Sequence, residues 1–565
     1  MHRLRGIYLG IALMSLTALP LIAHADSNSV FLINATNNAS LPIDQFTGKG
    51  IVIGQVENGV PDINQLDLLN QILATTNLYF RTNGIFNAHA TEVAGVMVST
   101  GAVTRGAAIG AKVYSVEVPA SFGDNTGLDF QTNAANATAF LASQPNLRVI
   151  NMSIGIQSVT NVYSVIGTNI SIVSAGRSFN TSGTSVWERA LDRLVSTKSV
   201  SVVVAAGNEG TIAFAASNSD GGTNTLGEPV GAYNLIAVGS VNNARSGSAT
   251  NVSDFSSRGY LVNGRSALAI VAPGGGITMP TTDGSESGGG SATDTGSGTS
   301  AAAPAVSAII ARLMQAASNN FMASPSTVTN AQDPRIMKAV LLNSATKLLD
   351  WQQGTNGPTA LTGALTPGVT AKVTQPLDAS QGAGLLNANG AYLQLAAGKQ
   401  GPTFSNNNLV ANGNVGLVGW DLGTVKMSFT NLYRLSSQAA GTLAITLDWY
   451  RDIGTNDAGT NAVLGLANLD LYLFGSGDAG FSVTTNLAMS VSSVDNVEHL
   501  WFTNLPSAYY QIGVLYSNYD AQAGSTPSLM DYGLAWNFAA VPEPSSLLLA
   551  GLGITGLWWS RRRRK

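Results

Sequence analysis

The chain of 565 residues contains no cysteine, which excludes disulfide bonds and thiolate metal sites. Histidine is nearly as scarce: His2, His24, His89 and His499 are the full set. Few side chains are therefore available as a general base near neutral pH. Charged residues make up 11% of the chain, where a typical soluble domain has about 25%. The net charge is −4, and this lack of a basic surplus argues against nucleic acid as a partner. Gly, Ala, Ser, Thr and Asn dominate instead, a composition that suits an exported protein with many surface turns. The length exceeds one ordinary core and predicts at least two domains.

The two ends read as addresses. MHRLR, an apolar run from Ile7 to about Ile22 and then Ala23-His24-Ala25 give a positive segment, a hydrophobic segment and an A-x-A site. This predicts a signal peptide over 1–25, cleaved after Ala25; an uncleaved anchor is the other reading. The C-terminus is VPEPSSLLLAGLGITGLWWSRRRRK. Its apolar run, 547–559, is shorter than the ~20 residues that span a bilayer comfortably, and the terminal arginines stay cytoplasmic under the positive-inside rule. The segment 541–565 resembles the PEP-CTERM sorting signal of exopolysaccharide-producing Gram-negative bacteria. The resemblance implies transient inner-membrane anchoring and cleavage near Pro542-Glu543-Pro544 by a membrane sorting peptidase. The destination would then be the cell surface, the exopolysaccharide matrix or the medium; a permanent tail anchor is the alternative. Without both ends the chain keeps 21 basic and 31 acidic residues, a net charge near −10.

Three internal segments carry chemistry. HATEVAG (89–95) holds one of the two histidines that outlast signal cleavage, GSGTSAAAPAVSA (296–308) places Ser300 between a glycine-rich loop and an Ala-rich helix, and VVVAAGNEG (202–210) presents Asn208 after a buried-strand run. A base, a nucleophile and an amide donor on separate elements are the parts of an acyl-transfer site. GTSAAAP resembles the nucleophile motif of subtilisin-like serine peptidases, AAGNEG their oxyanion segment, and HATEVAG their HGTHVAG with Ala90 for Gly and Glu92 for His. VINMSIG (149–155), IAVGS (236–240), DFSSRG (254–259), VAPGG (271–275) and QGAGLLNA (381–388) follow in the family's order.

From 50 to 345 apolar strand-like runs (50–56, 112–118, 147–152, 200–205, 234–240, 267–271) alternate with helical stretches (64–75, 89–99, 127–143, 184–196, 301–317, 334–345). Continuous Val/Ile/Ala runs suggest strands buried on both faces, and the alternation implies an α/β fold with a mostly parallel sheet covered by helices on both sides. That agrees with the subtilisin-like fold the resemblance implies. Residues 26–45 read as a short polar leader, too short for the family's folding prodomain, 46–395 as the catalytic domain and 350–375 as a surface excursion within it. After 400, LAITLDWY, ANLDLYLF, VEHLWFT, YYQIGVLY and YGLAWNF alternate with turn residues and predict an all-β sandwich over 400–540. By resemblance this is a jelly roll.

By resemblance Ser300 is the nucleophile, His89 the base and Asn208 the oxyanion donor. Pro304 is expected in or just after the first helical turn, where a missing N–H costs less. The family's Asp aligns with Glu57 in IGQVENG, 32 residues before His89, and Asp62 is held in reserve. Ser153, Ile154, Gly155, Ala205, Ala206 and Gly207 would line the primary specificity pocket, with room for a medium or large apolar side chain and Ile156 narrowing one wall. His499 lacks such context and reads as a surface residue. No cofactor is expected: acidic residues are scattered without a calcium-loop pattern, and structural calcium rests on family habit alone. Partners are protein or peptide substrates. Two other readings stay open: a catalytically inactive surface or binding protein that keeps the fold, and an acyl hydrolase acting on esters. A glutamate-serine peptidase of the sedolisin type is disfavoured, because it would lack the histidine and carry Asp at the oxyanion position.

Overall fold

A computed structural model describes residues 41–540 apart from 79–85, 119–127, 157–159, 167–168, 177–182, 211–223, 243–250, 262, 284–289, 319–324, 355–362, 364, 367, 402–411, 456–460 and 507. The expected signal peptide, residues 26–40 of the leader and the sorting tail lie outside the described residues.

The first half is built on β1 (Val52–Glu57), β2 (Ile72–Asn77), β3 (Lys112–Glu117), β4 (Leu147–Met152), a hairpin of β5 (Thr160–Ile166) and β6 (Asn169–Gly176), β7 (Ser201–Ala205), β8 (Ile236–Asn242) and β9 (Leu268–Gly275). Seven of these form one sheet in the order β2-β3-β1-β4-β7-β8-β9, with every pair parallel. β1 and β9 are buried along their whole length, as parallel strands covered on both faces must be. Alternate residues serve opposite cores. Ile53 and Val203 join helices α1 (Ala88–Val98), α4 (Thr299–Ser318), α6 (Pro334–Ser344) and α7 (Ala388–Ala396), whereas Val56 and Val204 join α2 (Leu128–Ala142) and α3 (Val186–Lys198). A short α5 (Pro325–Ala331) and a hairpin of β10 (Ile277–Pro280) and β11 (Thr293–Gly296) complete this half among the described residues.

Two expectations change here. The helix expected over 64–75 is a 3-10 turn, Leu66–Leu68, followed by β2. The apolar spacing of LDLLNQIL mimics a helix, but pairing with β3 at the sheet edge prevails. The last leader residues belong to the core: Ile43 is fully buried and Asp44 lies 2.9 Å from the buried Arg312 of α4. Pro304 is the sixth residue of α4, just past its first turn.

Among the described residues the second half consists of β12 (Ala371–Val373), β13 (Asn412–Asn414), β14 (Val418–Lys426), β15 (Thr430–Ser437), β16 (Gly441–Trp449), β17 (Asp452–Thr455), β18 (Asn461–Ser476), β19 (Thr484–Ser490), β20 (Val497–Leu505), β21 (Ala508–Ala521) and β22 (Leu529–Ala540). They form a seven-stranded sheet around β18-β21-β15 and a four-stranded sheet β14-β22-β16-β20. Tyr433, Ile512 and Leu471 from one sheet share a core with Ile445, Phe502 and Trp536 from the other. β12 comes from the stretch expected as a surface excursion and pairs with β19 at the sheet edge.

The outer face of the four-stranded sheet is covered by the first half. α6 lies on β16 and β22, and Lys338 Nζ sits 2.9 Å from Asp448 Oδ1 across the seam. His499, expected at the surface, is fully buried there. Its Nε2 lies 2.9 Å from Lys347 Nζ and its Nδ1 2.8 Å from Thr446 Oγ1, which donates onward to Asn343 Oδ1. Alternation within β20 separates two faces, but nothing local reveals that a second layer covers the outer one.

Candidate active site

The candidate residues converge at the carboxyl edge of the parallel sheet, where ligand crevices of α/β folds lie. Glu57 is the last residue of β1 and fully buried. Two residues earlier on the same strand face, Gln55 donates to Ala90 O at 2.8 Å and ties α1 to β1. Asn87 caps α1 by accepting from Ala90 N, which fixes His89 in the first turn. His89 Nδ1 then lies 2.9 Å from Glu57 Oε2. The other carboxylate oxygen accepts from Ser153 N at 3.2 Å. Asp62 is buried elsewhere and caps its own turn at Asn64 N, so Glu57 and not Asp62 is the carboxylate brought to His89.

The carboxylate of Glu57 pushes the His89 imidazole up to about 9, against the lowering effect of partial burial; the hydrogen bond to Glu57 and the charge of Glu92 add to the rise. Glu92 is three residues on, on the same helix face. Burial raises its own carboxyl above the usual range, while Thr281 Oγ1 donates to it at 3.0 Å.

Ser300 lies in the first turn of α4, where backbone N–H groups have no intrahelical partner and the helix dipole is positive. Asn208 follows β7. Its Oδ1 accepts Thr299 N at 2.9 Å and Thr299 Oγ1 at 3.1 Å, which turns its Nδ2 towards the cleft. A Cβ built on Gly298 would come 2.8 Å from Ser300 Oγ and 3.5 Å from Asn208 Nδ2, so these two polar atoms border one small space that only glycine leaves open. Gly207 has φ +107°, and a Cβ there would meet Glu209 Oε2 at 2.4 Å; both conformation and crowding demand glycine.

Pro304 has a local consequence. Its nitrogen cannot donate to Ser300 O, the acceptor one turn back. Ser153 Oγ takes that place at 2.9 Å, and Ser153 Oγ is itself held by Asn151, which Ser307 of the same helix anchors. Ser153 thus links the Glu57 carboxylate to the backbone of Ser300.

His89, Ser153, Ile154, Gly155, Ala205, Ala206, Gly207, Asn208 and Ser300 all line one cleft of about 190 Å³, with Glu57 behind His89. Ile156 lines it as well. Sequence reasoning missed Glu209, Gly227, Glu228 and Thr299. Glu209 and Thr299 lie inside quoted motifs, but Gly227-Glu228 carries no motif at all. Among the described residues no group of three or more His, Asp or Glu side chains is placed to hold a metal ion.

The sheet order, with helices on both faces and the cleft at the carboxyl edge, defines a subtilisin-like α/β fold followed by antiparallel β-structure. The subtilase family model matches residues 48–384, and the chain belongs to this family of serine peptidases. The PEP-CTERM protein-sorting motif matches residues 540–565, which supports export with a membrane-anchored C-terminal tail. The solved structure of the prenylagaramide maturation protease PagA is similar at 21% identity and a TM-score of 0.40, over 61% of this chain and 94% of that chain.

Proposed function

We propose that the protein is an exported serine endopeptidase that works through an acyl-enzyme, with Ser300 as nucleophile, His89 as base and then acid, and Glu57 where the family has aspartate. Ser300 Oγ attacks the scissile carbonyl carbon while His89 Nε2 takes its proton. The carbonyl oxygen, now negative, is held by Asn208 Nδ2 and the Ser300 N–H. Glu57 keeps the proton on Nδ1 and stabilises the imidazolium without itself becoming protonated. The imidazolium then protonates the leaving amine, and water repeats the sequence to release the acid.

The observation that carries this reading is the 2.9 Å contact between His89 Nδ1 and the buried Glu57 in the wall of a cleft that also holds Ser300 and Asn208. The test is labelling by an active-site serine phosphonate together with hydrolysis of a casein-like protein. Wild type should label at Ser300 and cleave, and Ser300→Ala should do neither. Failure of wild type to label would favour the inactive-protein reading, and ester turnover without peptide turnover would favour the acyl hydrolase.

Export and sorting complete the proposal: removal of residues 1–25, transient inner-membrane anchoring by 541–565, cleavage by a sorting peptidase, and release to the surface, matrix or medium. Mass spectrometry of the exported protein should place its end near residues 541–545. Soluble exported protein still ending in Lys565 would overturn this part.

A further inference from the structure

Besides the 153–156 and 205–207 walls, the cleft is lined by Gly227 and Glu228. An antiparallel bridge joins Glu228 to the first of these walls: Ile156 N donates to Glu228 O at 2.9 Å and Glu228 N to Ile156 O at 3.0 Å. Directly paired residues project to the same side, so the Glu228 side chain emerges next to that of Ile156. Glu228 is 3% exposed. The one hydrogen bond its carboxyl makes among the described residues comes from Gln131 Nε2 of α2, at 2.8 Å to Oε2. Glu209 lines the opposite wall, with its Oε2 held by Ser257 Oγ. Among the described residues no lysine or arginine lines the cleft, and beyond His89 its ionisable groups are these two glutamates.

We propose that Glu228 makes this the pocket for a basic side chain, so that the enzyme cleaves after lysine or arginine rather than after the apolar residues its Gly and Ala walls would admit. The inference rests on the peptidase reading above and deepens it. A carboxylate at the base of the primary pocket is how trypsin selects a basic residue. A buried carboxylate without a cation is costly, and a substrate ammonium or guanidinium supplies the missing charge.

The surroundings of Glu228 agree. Burial pushes its carboxyl up to about 8, and the neighbouring Glu188 of α3 pushes the same way, against the hydrogen bond from Gln131. Arg265, the cation that acts on Glu188, is engaged there: it caps Gly231 O and Ala232 O, stacks on Tyr233 and lowers Glu188. Asp192, beside Glu188, is paired with Arg451. An incoming cation therefore meets a carboxyl that is neutral in the empty pocket and ionises with it. The preference for basic over apolar residues must then grow as pH rises towards about 8. His89 titrates in the same reaction, but it acts equally on every substrate and cancels in the ratio.

The experiment uses the full exported enzyme, counted by serine-phosphonate labelling, on peptides that differ only in the residue before the scissile bond. The readout is the ratio of kcat/KM for lysine or arginine to that for leucine or phenylalanine. Wild type should favour the basic residues at least about tenfold at pH 8, with the ratio falling as pH drops. Glu228→Gln should lower the ratio by about tenfold or more and flatten its pH dependence. Glu228→Asp keeps the charge and should retain most of the preference, which covers the case of a Gln variant that does not fold. An enzyme that labels and cleaves but favours apolar residues, or whose ratio is unchanged in Glu228→Gln, overturns the pocket assignment alone. An enzyme that neither labels nor cleaves overturns the peptidase reading as well.

Discussion

The two histidines among the described residues, His89 at the cleft and His499 at the seam under the β-sandwich, have opposite surroundings. The His89 side chain is 43% exposed and faces a buried carboxylate; His499 is fully buried and faces an ammonium. Glu57 lifts the first imidazole to about 9, while burial and then Lys347 hold the second well below its usual range. A ring that can gain a proton beside a fixed negative charge is equipped to cycle. A ring that cannot gain one is a permanent acceptor. With Nε2 taking the Lys347 hydrogen bond, Nδ1–H is left to donate to Thr446. The residue type is the same in both regions, and burial together with the neighbouring charge decides what it does.

The largest effect expected from breaking this contrast is at Glu57. Glu57→Gln should lower kcat by at least about a hundredfold, because the histidine loses the partner that sets its tautomer; KM should move much less. Glu57→Asp should retain more activity than Gln. Near-normal kcat in Glu57→Gln would remove Glu57 from the site, and Asp62→Asn would be the next variant to measure.

The second effect is on pH dependence. His89 must be unprotonated to accept the serine proton, so wild-type kcat/KM should climb from neutral pH towards about 9. In Glu57→Gln the midpoint should fall back towards the ordinary ~6.5. A wild-type profile already flat at pH 7 would contradict the raised value.

The seam gives a smaller effect of the other kind. Burial lowers Lys347 to about 7, whereas an unfolded lysine titrates near 10.4. Between these values the unfolded chain binds more protons, so this group makes stability rise with pH from about 7 to about 10. Lys347→Met should flatten that part of the Tm-versus-pH curve, measured as the difference between the two proteins. The smallest change is expected from Thr446→Val, which strands His499 Nδ1 and should cost about 1–3 kcal/mol in denaturant unfolding. Phosphonate labelling of Ser300 in that variant should proceed at the wild-type rate.

The contrast also shows what the sequence discloses. His89, Asn208 and Ser300 each stand in a short window that resembles a family motif, and Glu57 is legible through the resemblance of IGQVENG to the family's aspartate segment, 32 residues before His89. The sheet is legible because strands buried on both faces must be continuously apolar, as in SVSVVVAA. Leu66, Leu69 and Leu73 mislead, since all three are exposed in a turn and an edge strand. Glu228 and His499 stay hidden for one reason: their decisive neighbours, Gln131 and Lys347, are 97 and 152 residues away. No local pattern encodes such a pairing.

β22 has a mechanical consequence. It ends at Ala540, where the sorting motif begins, and it is an inner strand, paired along its length with β14 on one side and β16 on the other. A pull on the tail directed along this strand is therefore opposed by two ladders of hydrogen bonds loaded together in shear, whereas an edge strand pulled the same way would be held by one. While the tail tethers the protein, the strand that carries the tension is the one whose far side is covered by α6, so the attachment point is braced directly against the catalytic half.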